Sequence, residues 1–323
     1  MAQKIKKIGI LTSGGDGPGM NAAIRSVVRY SLHYGVEVAG IMRGYQGLLE
    51  EDIVPMGHRS VSNIINRGGT ILKTARSKEF GTNEGKTKAA GVIHKHNMDA
   101  LIVIGGDGSY RGASELYTQF NIPTIGLPGT IDNDLNGTDQ TIGCATAVNT
   151  ALESIDKIRD TAQSMERIFV VEVMGNKSGY IAMEVALGAG AEDVIIPERS
   201  FDYEAMHQEI VEGNKKGKIS YIVIVAEGAG MAQVVAENIT RHTGLESRYV
   251  VLGHVQRGGT PDGQDRILST RLGATAVDLI LNGYFGKAVG VLQDEINVID
   301  LKDATRRVHT DMDRRYELLK ILT

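Results

Sequence analysis

Two glycine-rich segments carry aspartates at positions that could serve phosphate chemistry. Residues 105–109 read Gly-Gly-Asp-Gly-Ser, and residues 128–134 read Pro-Gly-Thr-Ile-Asp-Asn-Asp. Each segment follows an apolar run, 100–104 or 123–127, that is typical of a buried strand. Both are therefore expected at the carboxyl ends of neighbouring strands, where open α/β sheets bind ligands. Glycine N–H groups can contact phosphate oxygens there, and carboxylates can bind Mg²⁺ or accept a proton, so the pattern indicates phosphoryl transfer from a nucleotide.

The elements around these segments alternate between strand and helix. Further strands are predicted at 7–11, 36–41, 168–174, 194–196, 221–226 and 249–252. Helices are predicted at 20–34, 84–96, 145–164, 205–215, 232–243 and 264–282. Such alternation predicts the α/β class, with mainly parallel sheets. Since 323 residues are long for one core, we expect two doubly wound domains.

Composition places the chain among ordinary globular proteins and argues against several function classes. Hydrophobic residues make up 42% of the chain and charged residues 23%, without any long apolar run typical of a membrane span. The net charge of −4 gives no reason to expect nucleic-acid binding. Cys144 is the only cysteine, so we expect a packed thiol and a reducing compartment. Because the start lacks a signal-peptide pattern, the expected location is the cytoplasm.

Two segments look like common phosphate-binding motifs, and we discount both. Residues 17–22 satisfy Gly-x-Gly-x-x-Ala, but Pro18 interrupts the turn, and the acidic residue that should end the next strand, Glu37, begins it. Residues 81–87 read Gly-x-x-x-Gly-Lys-Thr, which is one residue short of a P-loop, and no buried strand precedes them. We interpret 81–87 as a helix start. The segment 12–21 still opens a helix after a strand, where N–H groups attract anions.

Four arginines stand beside glycines or polar residues at expected strand or loop ends: Arg76, Arg167, Arg248 and Arg257. A lone arginine is usually a solvated surface group. Arg257 is less easily dismissed, because 253–259 reads Gly-His-Val-Gln-Arg-Gly-Gly, and glycines around His and Arg indicate a shaped concavity. The planar guanidinium fork suits sugar phosphates.

Six segments together point to one family. They are 13–21, 105–109, 128–134, 173–175 (Val-Met-Gly), 226–228 (Ala-Glu-Gly) and 253–259. In this order they resemble the motifs of bacterial, ATP-dependent 6-phosphofructokinases, over residues 7 to at least 290. Gly-Gly-Asp-Gly alone is a weak signal that lipid kinases and NAD kinases share, whereas Thr-Ile-Asp-Asn-Asp at 130–134 followed by His-x-Gln-Arg-Gly-Gly at 254–259 is specific. The resemblance implies transfer of the γ-phosphoryl group of Mg-ATP to the 1-hydroxyl of fructose 6-phosphate.

The resemblance also implies roles for individual residues. ATP would contact Gly15, Arg76, Ser77, Gly106, Asp107, Gly108 and Ser109. Asp107 and Asp134 would bind Mg²⁺, and Asp132 would be the base that accepts the proton of the sugar hydroxyl. Thr130 and Arg76 would stabilise the transferring phosphoryl group. Since Asp132 and Asp134 are two residues apart, both can face one cleft.

A second set of residues would contact the sugar phosphate. It comprises Thr130, Ile131, Asp132, Arg167, Met174, Gly175, Asn176, Glu227, Arg248, His254, Val255, Gln256 and Arg257. In this family the arginines that match Arg167 and Arg248 come from a neighbouring subunit, so the resemblance implies a homotetramer with shared sites. It also implies a larger ATP-binding domain at 1–143 plus 257–305 and a smaller fructose 6-phosphate-binding domain at 144–256 plus 306–323.

Two glycines bear on the phosphoryl donor. Pyrophosphate users of the family carry Asp where this chain has Gly108 and Lys where it has Gly129, which favours ATP here. The chain also departs from the family pattern near the sugar-phosphate residues, at Met165-Glu166, Asn176 and Tyr180. None of these departures removes a matched catalytic group, and each is close enough to alter substrate affinity.

The family often binds ADP or phosphoenolpyruvate at a second, cation-rich site. The residues that match this site or lie beside it are Arg25, Arg29, His58, Arg59, Arg159, Gly190, Glu192, Lys216, Lys218 and Ser220. His58 replaces an arginine and Ile219-Ser220 replace a Lys-His pair, so we expect a weakened effector site. The alternative is that Arg25 and Arg29, four residues apart on a helix, only form a solvated face.

A rival function is a sensor of nucleotide and sugar phosphate that has kept the fold without turnover. The intact Asp132 favours the enzyme, because a sensor has no use for a base at that position. The expected partners are ATP and fructose 6-phosphate, with neither nucleic acid nor membrane.

Overall fold

The computed structural model describes residues 5–305 and 312–323, and strands and helices alternate along them. The strands are β1 (Lys7–Ser13), β2 (Glu37–Ile41), β3 (Ile53–Met56), β4 (Ala100–Gly105), β5 (Thr124–Pro128), β6 (Ile168–Val173), β7 (Asp193–Ile195), β8 (Tyr221–Ala226), β9 (Ser247–Val251), β10 (Lys287–Leu292) and β11 (Glu295–Asp300). The helices are α1 (Met20–His33), α2 (Gly44–Leu49), α3 (Asn83–Lys95), α4 (Asp107–Phe120), α5 (Cys144–Met165), α6 (Tyr180–Ala189), α7 (Tyr203–Lys215), α8 (Ala232–Thr243), α9 (Gly263–Leu281), α10 (Leu301–Ala304) and α11 (Met312–Leu322). Short 3₁₀ helices lie at Glu79–Gly81 and Gly253–Arg257.

The described residues divide into two compact units. The first unit contains 5–131, 135–146 and 257–305, and the second contains 132–134, 147–256 and 312–323. The chain passes from one unit to the other more than once, as interleaved domains require. The assignment of ATP to the first unit and of fructose 6-phosphate to the second stays a prediction.

The first unit is built on a seven-stranded sheet with the order β11-β10-β5-β4-β1-β2-β3. The five inner strands are parallel, and the two edge strands β3 and β11 pair antiparallel to their neighbours. Gly105 at the end of β4 pairs with both Ser13 and Pro128. The carboxyl ends of β1, β4 and β5 therefore meet at one edge, which confirms the expectation that the two aspartate segments follow neighbouring strands.

Both faces of this sheet are buried at its central strands, which explains why β4 is apolar throughout. Ile10 and Ile102 point to one face, where they pack with residues of α1 and α9 such as Val27 and Leu272. The alternate strand residues belong to a second cluster with residues of α2, α3 and α4. Burying one such side chain contributes about 1.5–3 kcal/mol. The two clusters hold the strand ends, and with them the loops, in place.

The second unit contains four parallel strands in the order β7-β8-β6-β9. Val170 and Val223 of the central strands pack with Met206 of α7 and Val235 of α8. The two units thus have the mainly parallel α/β sheets that the sequence predicts.

The described residues test several predictions of local structure that the sequence made. The segment 81–87 is a helix start, because the Thr82 hydroxyl accepts from Gly85 N and caps α3. Glu37 is the first residue of β2 and not its last, so residues 17–22 lack the acidic residue that a dinucleotide-binding motif needs at the end of the second strand. Cys144 is buried, as expected of a packed thiol. Arg248 is a correction, since it lies within β9 and not at a strand end.

Candidate active site

The loop after β1 forms one wall of the site in the first unit. Gly14 has a φ of 90°, which favours glycine. A Cβ at Gly15 would lie 2.1 Å from Arg257 Nη1, so a side chain there would displace the arginine. The Arg257 guanidinium also donates a hydrogen bond to the carbonyl oxygen of Asp16 at 3.0 Å. The structure therefore brings together a predicted ATP residue and a predicted sugar-phosphate residue.

The second loop leads directly into α4, which begins at Asp107. A Cβ at Gly105 would lie 2.5 Å from the Ser13 carbonyl oxygen, so only glycine lets the two loops pack. At Gly108, by contrast, a Cβ would meet no heavy atom within 4 Å. Ser109 N and Tyr110 N both donate to the Gly106 carbonyl oxygen at 3.0 Å, and the N-terminal end of a helix attracts anions. The loop thus offers an open backbone surface to a phosphate.

Asp107 is the predicted magnesium ligand of this loop. Its side chain is 12% exposed and forms an ion pair with Arg111, whose Nε lies 3.3 Å from Asp107 Oδ1. Within the described residues, no group of three His, Cys, Asp or Glu side chains could hold a metal ion. Mg²⁺ is usually bound by one or two carboxylates together with substrate phosphates. The residues present therefore fit a magnesium ion that arrives with a nucleotide.

The segment after β5 carries the predicted catalytic residues. Gly129 is bridged to Ile142, and a Cβ at Gly129 would lie 2.6 Å from Ile104 Cγ2. Thr130 follows, next to the loop between β4 and α4: a Cβ at Gly106 would lie 3.4 Å from Thr130 Cβ. Ile131 is fully buried and anchors the segment in the core.

The next three residues differ in exposure. Asp132 and Asn133 are half-buried, and Asp134 is buried. Asn133 has a φ of 49°, a left-handed conformation that turns the chain sharply between the two aspartates. A half-buried carboxylate can act as a base where a hydroxyl group comes within hydrogen-bond reach.

Arg76 and Ser77 lie in the segment that connects β3 to α3, shortly before the 3₁₀ helix at Glu79–Gly81. Arg76 is exposed, and the Ser77 hydroxyl accepts a hydrogen bond from Phe80 N at 3.2 Å. Phe80 stacks on Tyr45 with the ring centroids 3.8 Å apart. The Ser77 hydroxyl therefore holds the Phe80 backbone, in addition to the contact with ATP that the sequence predicts.

In the second unit, Glu227 organises the loop that follows β6. Its Oε1 accepts hydrogen bonds from Gly175 N at 3.1 Å and from Asn176 N at 2.6 Å. Gly228 packs so closely that a Cβ there would lie 2.1 Å from the Asn176 carbonyl oxygen. Three predicted sugar-phosphate residues are thus brought together at the carboxyl ends of β6 and β8.

Gln256 supports the same loop from the other side. Its side chain is fully buried, and its Oε1 accepts a hydrogen bond from Met174 N at 2.9 Å. Its Nε2 is buried without a hydrogen-bond partner among the described residues. His254 and Val255 of the same 3₁₀ helix are exposed. Gln256 therefore positions Met174, whereas its two neighbours face outward.

Arg167 and Arg248 lie near the amino ends of β6 and β9, whereas Met174 lies at the carboxyl end of β6. Arg167 immediately precedes β6 and Met174 immediately follows it. Seven extended residues span roughly 23 Å, which is too far for one sugar phosphate to bridge. Both arginines bind Glu246 instead. Within one chain, the structure does not bring Arg167 to the Met174 loop.

The predicted effector residues are distributed over both units. Arg25 and Arg29 lie on α1, and His58 and Arg59 are exposed after β3. In the second unit, Arg159 donates to the carbonyl oxygen of Gly190 at 3.1 Å. We describe these two groups separately.

A cavity of about 290 Å³ lies beside the second group and is lined by Glu192, Glu209, Glu212, Gly213, Lys216, Lys218, Tyr221, Lys320 and Thr323. Lys218 Nζ lies 3.2 Å from Glu192 Oε1, and the other oxygen of Glu192 accepts from Ile222 N at 2.6 Å. Ser220 is half-buried near this wall. Since three glutamates face three lysines, the cavity carries no clear positive excess.

Sequence reasoning missed Asp265, which lies almost fully buried on α9. Its carboxylate accepts hydrogen bonds from Gly143 N at 2.7 Å and Thr146 N at 2.9 Å, and from the Thr146 hydroxyl at 2.6 Å. Burial raises the pKa of this carboxyl above its usual value. Asp265 thereby holds the start of α5 and the chain beside Gly129. The Asp262-x-x-Asp265 pattern predicts only a helix start, because the partners are more than 100 residues away.

In the first unit, two open backbone loops meet at the ends of β1 and β4, and Thr130 lies beside the second loop, an arrangement that suits phosphate binding. A family model described as phosphofructokinase matches residues 7–280. The chain belongs to the phosphofructokinase family. It is 52% identical to the ATP-dependent 6-phosphofructokinase 1 of Thermus thermophilus, over 94% of this chain and 95% of that protein.

Solved phosphofructokinases have the same fold as this family member. The structure of the Saccharomyces cerevisiae phosphofructokinase matches with a TM-score of 0.86 at 37% identity, over 93% of this chain and 45% of that one. A pyrophosphate-dependent phosphofructokinase from Marinobacter aquaeolei matches with a TM-score of 0.83 at 23% identity, over 98% of this chain and 91% of that one. The latter likeness concerns the fold alone, so the choice of donor depends on particular residues. In the described parts of the chain, no helix is both long enough and apolar enough to cross a membrane.

Proposed function

We propose that this protein is an ATP-dependent 6-phosphofructokinase. It transfers the γ-phosphoryl group of ATP to the 1-hydroxyl of D-fructose 6-phosphate and produces fructose 1,6-bisphosphate and ADP, the committed step of glycolysis. The observation that carries the proposal is the meeting of three loops at the ends of β1, β4 and β5, where Thr130 lies against Gly106. The near-full-length likeness to ATP-dependent relatives supports it.

Asp132 is proposed as the general base. As the new oxygen–phosphorus bond forms, its carboxylate accepts the proton of the 1-hydroxyl, and the bond to the bridging oxygen of ADP breaks. Arg76 and Thr130 stabilise the charge on the transferring group, because phosphoryl transfer depends mainly on positioning and charge neutralisation. Mg²⁺, held by Asp107 and Asp134 together with the nucleotide, would supply further neutralisation.

Gly108 and Gly129 support ATP as the donor. Gly108 has open space around it, which a nucleotide can occupy. A lysine at Gly129 would begin with a Cβ 2.6 Å from Ile104 Cγ2 and 3.1 Å from Gly105 N. The packing around Gly129 therefore does not suit the lysine that the pyrophosphate users carry there.

The separation of Arg167 from the Met174 loop supports shared sites. Since Arg167 and Arg248 lie near the amino ends of β6 and β9 and the Met174 loop follows the carboxyl end of β6, we expect both arginines to reach a sugar phosphate only in another copy of the chain. The exposed Tyr249 and Val251 of the edge strand β9 offer an apolar surface for such an assembly. We propose a homotetramer, in the cytoplasm, where a lone buried Cys144 is stable.

The effector site is proposed to be retained but weak. Lys216 and Lys218 face a cavity whose charges balance, and Glu192 is already bound by Lys218. An anion such as phosphoenolpyruvate, or ADP, would have to displace that contact. The cation-rich character that favours such ligands is therefore reduced.

A coupled assay with purified protein tests the proposed function. ATP and fructose 6-phosphate should yield fructose 1,6-bisphosphate, and pyrophosphate should not replace ATP. Binding of both ligands without product would favour the rival sensor function. Turnover with pyrophosphate alone would contradict the choice of donor.

A further inference from the structure

Glu246 carries a carboxylate that contacts both arginines proposed for the 6-phosphate. Its Oε2 accepts a hydrogen bond from Arg167 Nε at 2.9 Å, and its Oε1 forms an ion pair with Arg248 Nη2. None of the family motifs in the sequence contains this residue. One carboxylate therefore holds two cations that come from different strands.

The backbone fixes these three residues relative to one another. Glu246 and Arg167 immediately precede the parallel neighbours β9 and β6, in which Ser247 pairs with Ile168. Glu246 and Arg248 are two residues apart, so their side chains lie on the same side of β9. The three side chains converge because of strand register, without any local sequence signal.

The arginine nitrogens that contact Glu246 show which N–H donors remain available to a ligand. Glu246 takes the side-on Nε of Arg167, and Arg167 Nη1 contacts only the Met165 sulfur, at 3.5 Å, within the described part of the chain. For Arg248, the contact uses one terminal nitrogen. If Glu246 took the place of the phosphate, its carboxylate would contact the two terminal nitrogens of Arg167, which is the geometry of bidentate recognition. Here that fork is left for a ligand.

We propose that Glu246 is a positioning residue that orients Arg167 and Arg248 for the 6-phosphate of the sugar, an inference that rests on the proposed function. Arginine side chains have many rotamers, and two guanidinium groups repel each other when they approach. A carboxylate between them offsets the repulsion and restricts the rotamers before the ligand binds. Such preorganisation strengthens binding because less side-chain freedom is lost on association.

The test compares Glu246→Gln, which removes the charge at nearly constant size, with Glu246→Asp, which keeps the charge. Glu246→Gln should raise the KM for fructose 6-phosphate on the order of tenfold, while kcat and the KM for ATP stay within about twofold. Glu246→Asp should restore much of the affinity. Glu237→Gln is the matched control, since Glu237 is exposed on α8 in the same unit and contacts Gln233.

A second comparison separates positioning from a general structural effect. In an Arg167→Ala background, Glu246→Gln should reduce kcat/KM less than it does in the wild type, because one of the two cations is gone. Calorimetric binding of fructose 6-phosphate to the wild type and to Glu246→Gln provides the same comparison without turnover.

An unchanged KM in Glu246→Gln would overturn the inference. A lowered KM would do so as well, and would mean that the carboxylate competes with the phosphate. Either result leaves the proposed function intact, provided that the wild type forms product. A wild type without turnover would refute the proposed function instead, while the calorimetric comparison would still test Glu246.

Discussion

Arg257 Nη1 donates a hydrogen bond to the Asp16 carbonyl oxygen at 3.0 Å. The same guanidinium fills the space beside Gly15, where a Cβ would stand 2.1 Å from Nη1. Arg257, which is proposed to bind the sugar phosphate, thus occupies the volume that any side chain at position 15 would need. Gly15 at that position is proposed to bind ATP. Both binding roles therefore depend on the absence of a side chain at position 15.

Gly15→Ala should weaken both substrates together. The new methyl group forces Arg257 away from Asp16, and a displaced charged hydrogen bond costs about 1.5–3 kcal/mol. We expect the KM of fructose 6-phosphate and that of ATP to rise at least tenfold, measured by initial rates. Gly91→Ala on α3, where a Cβ meets nothing within 4 Å, is the matched control and should behave as the wild type. A change in only one KM would contradict the shared dependence.

Asp132→Ala should remove the proposed base. A positioned base contributes about 10²–10⁴-fold to the rate, so kcat should fall by that factor while ATP binding changes little. Steady-state rates and ATP titration measure the two quantities separately. Asp156→Asn, an exposed aspartate on α5, controls for the loss of one negative charge. An unaltered kcat would remove Asp132 from this role.

Shared sites predict complementation between two inactive variants. Asp132→Ala lacks the base and Arg248→Ala lacks a phosphate ligand, so hybrids of the two should contain some sites with both groups intact. We expect activity to reappear after the variants are mixed under conditions that exchange subunits. Mass spectrometry should confirm the exchange. Confirmed hybrids without activity would argue against sites shared between subunits.

Effector responses should be blunted. The cavity beside Lys216 and Lys218 has balanced charge, and His58 stands where a permanent cation is usual. Fructose 6-phosphate saturation curves with and without ADP or phosphoenolpyruvate should therefore shift only slightly at pH 8. Strong sigmoidal inhibition by micromolar phosphoenolpyruvate at pH 8 would disprove this prediction.

His207 should make stability depend on pH. Burial lowers the pKa of His207, and the stacked His242 lowers it further, whereas Asn238 and Glu204 act in the opposite direction. The folded chain therefore binds fewer protons at this residue than the unfolded chain, so stability is lost as the pH falls below about 6.5. The Tm should drop between pH 7.5 and pH 5.

His207→Gln should reduce that drop, because the substituted side chain does not titrate. Glu212 and Lys215 line the same groove as His207 and are left unchanged in this variant. His94→Gln, on α3 of the first unit, is the control and should preserve the wild-type slope. Equal slopes in all three proteins would exclude His207 as the source.

Much of the local structure followed from the sequence, because it depends on neighbouring residues. The apolar runs before residues 105 and 128 predicted buried strands, and the structure has β4 and β5 there. The same holds for the helix that begins at Asn83 after its Thr82 cap. By contrast, the hairpin between β10 and β11 was missed. Its two-residue turn, Gln293-Asp294, has positive φ at both positions but lacks the usual glycine signal.

The sequence by itself determined the family, the α/β class and the residue types that phosphate chemistry needs, since these are carried by contiguous motifs. Only the tertiary structure decided which of those residues meet. The register of β6 and β9 places Arg167 beside Glu246, although the two residues are 79 apart in the chain. The packing of α9 places Asp265 at the start of α5. Such contacts depend on register and packing between distant segments, which no local pattern of residues encodes.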